Sequence, residues 1–586
     1  MNTDLEQGNS PSLRPTQTLA ADYMVQAHEL DSQIAWHYAQ IVVLKARRNA
    51  IVPIHRLPNE LMTRIFTIFA TESDSDMLFN LEWTQIMRVC HHWHAVALAA
   101  QHLWAYIEVE GTGSRFFPQL RRSGAAPLTI KLNLSEYTEH YVQYIMGHSV
   151  RIRELNFKGE AKYVFEFIAS LPEFALGILS TLILKATMGT EDVPSNVSRS
   201  LPRILFDGKL PRLQALSLDS IECPWPSLTG LTALSLTGSS DSSQSTPSTF
   251  AGLLDMLRAC PQLISLKLAH LCPPLIPGHL YASVDLLALK SLRLRDPATS
   301  CQALLEHLRI PSEACISLLA YGLRSGNDIR GILVPIRKHL RSARALKPLL
   351  LKIDRYGNAP EDGHCMTTFA DSIAPPDLLF VDKVNYPLLL NCHPTSESAL
   401  REMLTKLLKA VPCQSVTHLD GRAAYEMRTA TWRTVIMYLS SLETVYLFRS
   451  AGAANCIDAL REIETKDPER RMFPRIRRLH IRVFRLQHES DTLTNLLIAL
   501  EKYLKVLHKQ QQSSGASASL QTLEFEHDHV LSHPTHDGRL QRMFGLMQGD
   551  IIVNGRKYDP IERAKQIEEI RAKRKALAIE MGLEKE

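Results

Sequence analysis

The chain has little of what marks most enzymes, secreted proteins and membrane proteins. Its 10 cysteines are scattered. None forms a Cys-x-x-Cys pair, so neither a disulfide framework nor a zinc ribbon is expected, and a reducing compartment, cytoplasmic or nuclear, is. No apolar run approaches the roughly 20 residues that span a bilayer. The first residues are polar and include acids, without a basic-then-apolar leader. An excess of one charge is lacking too. The 66 basic and 61 acidic residues leave a net charge of +5, too near balance to argue for nucleic acid. There is no Gly-rich phosphate loop, no nucleophile elbow and no His-Glu-x-x-His. No catalytic residue, cofactor or resident metal is therefore expected.

What is present is an ordinary globular composition in 586 residues, far more than one compact domain, which points to modules or repeats. Residues 1–18, rich in Ser, Pro, Thr and Asn, are expected to be a disordered tail. A long helix is expected over 19–52, ended by Pro53. Its apolar positions Tyr23, Ala27, Leu30, Ile34, Ile41 and Leu44 come close to a three-four alternation, interrupted at His37. Such a stripe either pairs two chains as a short coiled coil or packs on the module that follows. The second is expected, because the alternation falls short of roughly three or four sustained heptads.

The most informative stretch is 53–104. Leu57-Pro58 begins it, with proline at a first helical position where its missing N–H costs nothing. Leu57, Leu61, Ile65 and Ile68 follow at helical spacing, with Met62, Phe66 and Phe69 on the neighbouring stripe. A second helix is expected to carry Ile86, Val89, Cys90, Trp93, Val96 and Ala97, and Leu103-Trp104 closes the stretch. About fifty residues have too little interior for so apolar a first helix, so part of it should face another chain.

The ordered set Leu-Pro-x-Glu-Leu, Ile-Phe, Val-Cys-x-x-Trp and Leu-Trp resembles an F-box. The resemblance implies that Leu57, Pro58, Leu61, Ile65 and Phe66 contact a Skp-type linker subunit. It implies that Val89 and Trp93 mix contact with packing, and that Trp104 is structural. Through the linker the chain would join a cullin scaffold and a RING subunit. The acidic segment between Ala70 and Trp83 is longer than in the compact form of the module.

From 105 to 540 a pattern L-x-x-L-x-L recurs. Its clearest copies are Leu213/Leu216/Leu218, Leu231/Leu234/Leu236, Leu263/Leu266/Leu268 and Leu289/Leu292/Leu294. Looser copies sit at Ile152/Leu155/Phe157, Leu179/Leu182/Leu184, Leu346/Leu349/Leu351, Leu442/Val445/Leu447, Ile476/Leu479/Ile481 and Leu520/Leu523/Phe525. Each is expected to be a short strand, with helical stretches such as Phe250–Leu257 between copies, and units that cannot bury a face alone must stack. The pattern resembles an irregular leucine-rich-repeat solenoid, without the usual asparagine position. The expected fold class is α/β: a helical module, then parallel strands with helices. Residues 541–586 are expected to form a charged terminal helix or tail.

Taken together, the resemblances imply a substrate-recognition adaptor of a Skp–cullin–F-box ubiquitin ligase, bound to an unknown protein target and to neither nucleic acid nor membrane. A repeat scaffold outside any ligase is one alternative. A metal-dependent hydrolase using His527, His529, His533, His536 and Asp537 is another. Beside the second and third leucines, Lys158, Lys185, Lys267, Arg293, Arg295, Lys352, Arg478 and Arg482 should face outward, against the acids Glu154, Asp219, Glu524 and Glu526. That balance points to an acidic or phosphorylated target segment, gripped by Lys267, Arg293, Arg295, Arg478 and Arg482. Ordinary solvated charge is the plainer reading of the same residues.

Overall fold

A computed structural model describes residues 16–72, 77–109, 114–187, 200–238, 249–273, 275–276, 278–342, 347–356, 364–371, 387–424, 426–448, 451–466, 476–483, 490–514, 520–527, 534–547, 549–562, 564–565, 568–569 and 572–573. The chain forms two compact units, 1–159 with 174–179, and 160–173 with 180–586.

The first unit contains α1 (Thr16–Ala50), α2 (Asn59–Glu72), α3 (Met77–Asn80), α4 (His91–Ala99), β1 (Tyr106–Val109), α5 (Phe116–Arg122), β2 (Leu128–Leu134), α6 (Glu139–Met146) and β3 (Ile152–Glu160). Of the tail expected over 1–18, residues 1–15 lie outside the described residues, and 16–18 open α1. The Pro58 carbonyl accepts from the Leu61 and Met62 N–H groups at 3.0 and 3.1 Å, so the proline sets the first turn of α2. Met62, Phe66 and Ala70 face inward to a core with Leu78, Trp83, Ile86, Val96, Ala97, Leu103 and Trp104. The Trp104 indole N–H donates to the Ala97 carbonyl at 3.0 Å, which pins the closing tryptophan to α4. The single helix expected through Ile86 and Ala97 is instead two pieces. A 3-10 turn over Glu82–Arg88 gives way to extended Cys90, whose sulfur caps α4 by accepting from the Trp93 N–H at 3.4 Å. β1, β2 and β3 then pair in parallel.

The second unit begins with α7 (Ala161–Ser170), β4 (Thr181–Thr187), β5 (Ala215–Asp219), β6 (Ala233–Thr237), α8 (Phe250–Arg258), β7 (Ser265–Ala269), β8 (Val284–Asp285) and β9 (Ser291–Arg295). It continues through α9 (Ala298–His307), β10 (Leu308–Arg309), β11 (Cys315–Leu319), α10 (Gly326–Ser342), β12 (Leu350–Tyr356), β13 (His364–Ala370), β14 (Leu388–Cys392) and α11 (Glu397–Ala410). It ends with β15 (His418–Asp420), α12 (Thr429–Tyr438), β16 (Thr444–Phe448), α13 (Ala451–Lys466), β17 (Arg478–Val483), α14 (Ser490–Ser514), β18 (Thr522–His527), α15 (Pro534–Leu546), β19 (Asp550–Val553) and β20 (Arg556–Lys557).

Its strands pair with no offset. Leu182, Leu216, Leu234, Leu266, Leu292, Ile316 and Leu388 stand side by side across seven strands. Leu184, Leu218, Leu236, Leu268, Leu294, Leu318 and Leu390 form a second row. Farther on, Leu351, Leu419, Val445, Leu479, Leu523 and Ile551 repeat the arrangement. All of these are buried. Parallel pairing without shear puts like positions beside like, so period-2 leucines become rows of one apolar face.

Two expectations need correction. The sheet is not wholly parallel: β13 lies antiparallel between β14 and β12. Nor does it stop at 540. β19 adds to β18 in parallel, and β20 folds back on β19. The signal for that return was in the sequence as Asn554-Gly555, both at positive φ (49° and 74°), the dipeptide that a tight hairpin demands. Gly549 is required as well, since a side chain there would collide with the Gln521 carbonyl.

β11, β14 and β15 fall outside the leucine spacing, each for a visible reason. Position one of the pattern is Glu313 before β11 and Asn385 before β14. At β15 position three is Gly421, because the Trp432 ring of α12 occupies the space a side chain there would fill. Gly421→Ala should therefore cost about 1–3 kcal/mol through overpacking. Leu266→Ala should cost about 2–5 kcal/mol through a cavity. Denaturant unfolding of the two variants reads both, and Trp432→Leu should relieve most of the Gly421→Ala cost.

Candidate protein-docking surfaces

The first surface is the outward stripe of α2. While Met62 and Phe66 are buried, Leu61, Ile65 and Ile68 stay 46%, 38% and 43% exposed. Spacings of four and three residues put them in one row. Val89, at the break before α4, is exposed, as is Pro58. Leu57 and Trp93 are half-buried against the module core, and the Trp93 ring lies 5.2 Å from that of Phe66. Of the seven residues expected to touch a linker, Pro58, Leu61, Ile65 and Val89 thus present themselves to solvent, and Leu57 and Trp93 do so in part. Phe66 does not: it is 1% exposed and belongs to the core. Ile68 takes its place on the stripe. Helical spacing alone gave two apolar stripes and no means of deciding which one the module's other helices would cover.

The second surface is the polar face of the second unit's sheet, opposite the leucine rows. On β7 and β9, Lys267 and Arg293 are register neighbours, with Arg295 two residues on. Lys267 and Arg295 are exposed, and Arg293 is half-buried. Serines flank them in the same row: Ser217 and Ser235 on one side, Ser317 on the other. Arg478 and Arg482 are far away. β17 is reached from β9 only across β11, β14, β13, β12, β15 and β16, a span of about 34 Å at roughly 4.8 Å per strand. One short anionic group cannot be gripped by all five basic residues.

The net basic balance is also smaller than expected. Lys185 pairs with Asp219 at 2.8 Å, Lys352 with Asp354 at 2.9 Å, and Arg482 with Glu526 at 3.1 Å. Asp354 and Asp420 are acids on this face that the spacing did not bring out. Asp420 is held by Arg422 at 3.0 and 2.8 Å, through Nε and a terminal nitrogen. Burial pushes the Asp354 carboxyl up, and Lys352 beside it pulls it partly back. Lys158 and Arg478 are exposed. The side chains of His527, His529, His533, His536 and Asp537 lie outside the described residues, and no cluster with metal-binding composition occurs among the described ones. Nor is any described helix long and apolar enough to cross a membrane.

No family model matches the chain, and no curated protein matches it.

One further carboxyl bears on the β7–β9 surface. Asp296 follows β9 and is buried; its Oδ1 accepts from the Leu271 and Cys272 N–H groups at 3.0 and 3.2 Å. It thereby holds the turn at His270, which sits at a φ of 55°. Burial raises the Asp296 carboxyl above its ordinary range, and the two backbone donors oppose this. The folded state therefore keeps this proton to higher pH than the unfolded one. The contribution to stability is full at low pH and is lost as the pH rises through the raised value. Asp296→Asn keeps the accepting oxygen and removes the charge. Its stability relative to wild type should grow as the pH is raised from about 4 to 8, through the carboxylate range and above, in urea unfolding. A constant difference would mean that this carboxyl does not titrate between the two states.

Proposed function

We propose that this chain is the substrate-recognition adaptor of a Skp–cullin–F-box ubiquitin ligase. Residues 53–104 act as the F-box, and the in-register sheet with its helices acts as a leucine-rich-repeat solenoid that holds the target. The observation that carries the reading is the exposed row Leu61, Ile65 and Ile68, on a helix begun by Leu57-Pro58. That motif order is the one that resembles an F-box, and the row leaves apolar side chains uncovered where the linker would sit. Covering the two-fifths of each that is still exposed would contribute about 1 kcal/mol, a little under half of a full burial, so the row acts as an anchor together with its exposed neighbours Pro58 and Val89.

The mechanism is proximity. The module fixes the adaptor to the linker, and through it to the cullin and RING subunits. The sheet holds the target beside the activated ubiquitin and raises the effective concentration of its lysines. The adaptor supplies position and no catalytic group. The target segment is acidic or phosphorylated, and it is read by Lys267, Arg293 and Arg295 on adjoining strands. Arg478 and Arg482 lie too far along the sheet to share the same group.

Leu61→Asp with Ile65→Asp should abolish copurification of a Skp-type linker while the module stays folded, since both side chains are about two-fifths exposed and neither belongs to its buried core. Phe66→Ala should do the reverse in emphasis, lowering stability by about 3–5 kcal/mol. Linker capture at wild-type level by the double aspartate variant would refute the docking assignment. For the target, Arg293→Ala with Arg295→Ala should remove any preference for phosphorylated over unmodified peptides. Arg478→Ala should leave the preference intact.

A further inference from the structure

Among the described residues, α1 carries a longer run of exposed apolar side chains than α2. Every side chain from Tyr23 to Arg48 is exposed. The row includes Leu30 at 58%, Ile34 at 51% and Leu44 at 61%. Over Tyr23–Arg48 the packing of this helix on the following module, expected from the sequence, does not occur. An isolated helix of this length gains little from its own hydrogen bonds, and most helical stability comes from a covered face. The exposed side chains leave a face that a partner can cover.

We propose that the cover is a second copy of this chain, with two α1 helices pairing antiparallel. Three observations point there. First, a subset of the apolar positions fits one heptad frame, while Met24, Val25, Trp36, Tyr38, Val42 and Val43 lie off it. Ala27, Ile34 and Ile41 recur every seven residues, and Tyr23, Leu30, His37 and Leu44 recur every seven between them. This 3.5-residue period is the one that lets two helices keep a seam over their length. Ile51 lies beyond the helix and Arg48 takes the next inner position, so the frame covers Tyr23 to Leu44, about three heptads with polar His37 among them. Spacing alone is short for such a seam, and it is the exposure of these positions in the single chain that points to a partner.

Second, the area is sufficient. Burying five large aliphatic or aromatic side chains and the smaller seam residues removes roughly 600 Å² per helix, at about 100 Å² for each large side chain. Two helices then bury about 1,200 Å², the lower edge of stable specific interfaces. Third, the charges are segregated along the helix. Glu29 and Asp31 lie toward its start, and Lys45, Arg47 and Arg48 lie toward its end. Antiparallel pairing sets the acidic part of one copy beside the basic part of the other, and it opposes the two macrodipoles. Parallel pairing sets like beside like. The inference is independent of the ligase reading, because α1 lies outside 53–104.

The test uses the full chain. Light scattering after size exclusion, at about 10 µM, should give twice the monomer mass. Ile34→Glu with Ile41→Glu should give a monomer, with dimer affinity weakened roughly 100-fold or more. These positions are exposed in the single chain, so the melting of the sheet should not change. Glu29→Lys with Asp31→Lys should weaken the dimer several-fold, and more so at low salt. Adding Lys45→Glu and Arg47→Glu to the same chain should restore it. A monomeric wild type, or a dimer that survives Ile34→Glu with Ile41→Glu, overturns the proposal. A dimer lost with those two substitutions but insensitive to the charge reversals overturns the antiparallel arrangement.

Discussion

Parallel backbone pairing without offset is the constraint on which the second unit depends. At many of its parallel steps the carbonyl before one strand accepts two successive N–H groups from the next. Ser180 takes Gln214 and Ala215, Gln214 takes Thr232 and Ala233, and Thr232 takes Ile264 and Ser265. The same fork recurs late in the chain, where Glu443 takes Arg477 and Arg478, and Arg477 takes Gln521 and Thr522. Main-chain atoms thus join the strands in this register, and the buried leucine alternation keeps it from slipping. No asparagine row is needed to do so, and the side chains inherit their alignment: leucines into one face, serines and charges onto the other.

That alignment also explains how much was legible in the residues. Leu216, Leu234, Leu266 and Leu292 alternate with polar neighbours, and period-2 alternation is a local signal that needs no knowledge of partners. Strand β15 was illegible because its third position is Gly421. The residue that fills the gap, Trp432, is eleven positions away on a helix, and packing of that kind leaves no trace in spacing. β13 was missed because antiparallel insertion is a property of the path between strands. Asn554-Gly555 shows the opposite case, a local turn signal that a charged C-terminal composition obscured.

On the two candidate surfaces the limits differ. Along α2 both apolar stripes were visible, but which one is spent on the module's own core was decided by Trp83, Val96 and Trp104, which arrive from elsewhere in the chain. On the sheet face, counting basic and acidic residues overstated the free positive charge. Lys185, Lys352 and Arg482 stand beside Asp219, Asp354 and Glu526, and neighbouring opposite charges largely cancel at a distance. Register, more than composition, decides what such a face can hold.

The backward step at β12–β13–β14 has a consequence for how the protein is made. β14, not β12, lies against β11, so a sheet growing from its N-terminal strands cannot add β12 when that strand leaves the ribosome. It must wait until Leu388–Cys392 has emerged. That is roughly seventy residues after β11, or several seconds at about 5–20 residues per second. For that interval the β11 edge has no strand to receive, and its unpaired backbone groups are open to any other extended chain. Nascent-chain aggregation and chaperone demand should therefore concentrate in one window of synthesis, set by the order in which strands are laid down and not by the stability of the finished sheet.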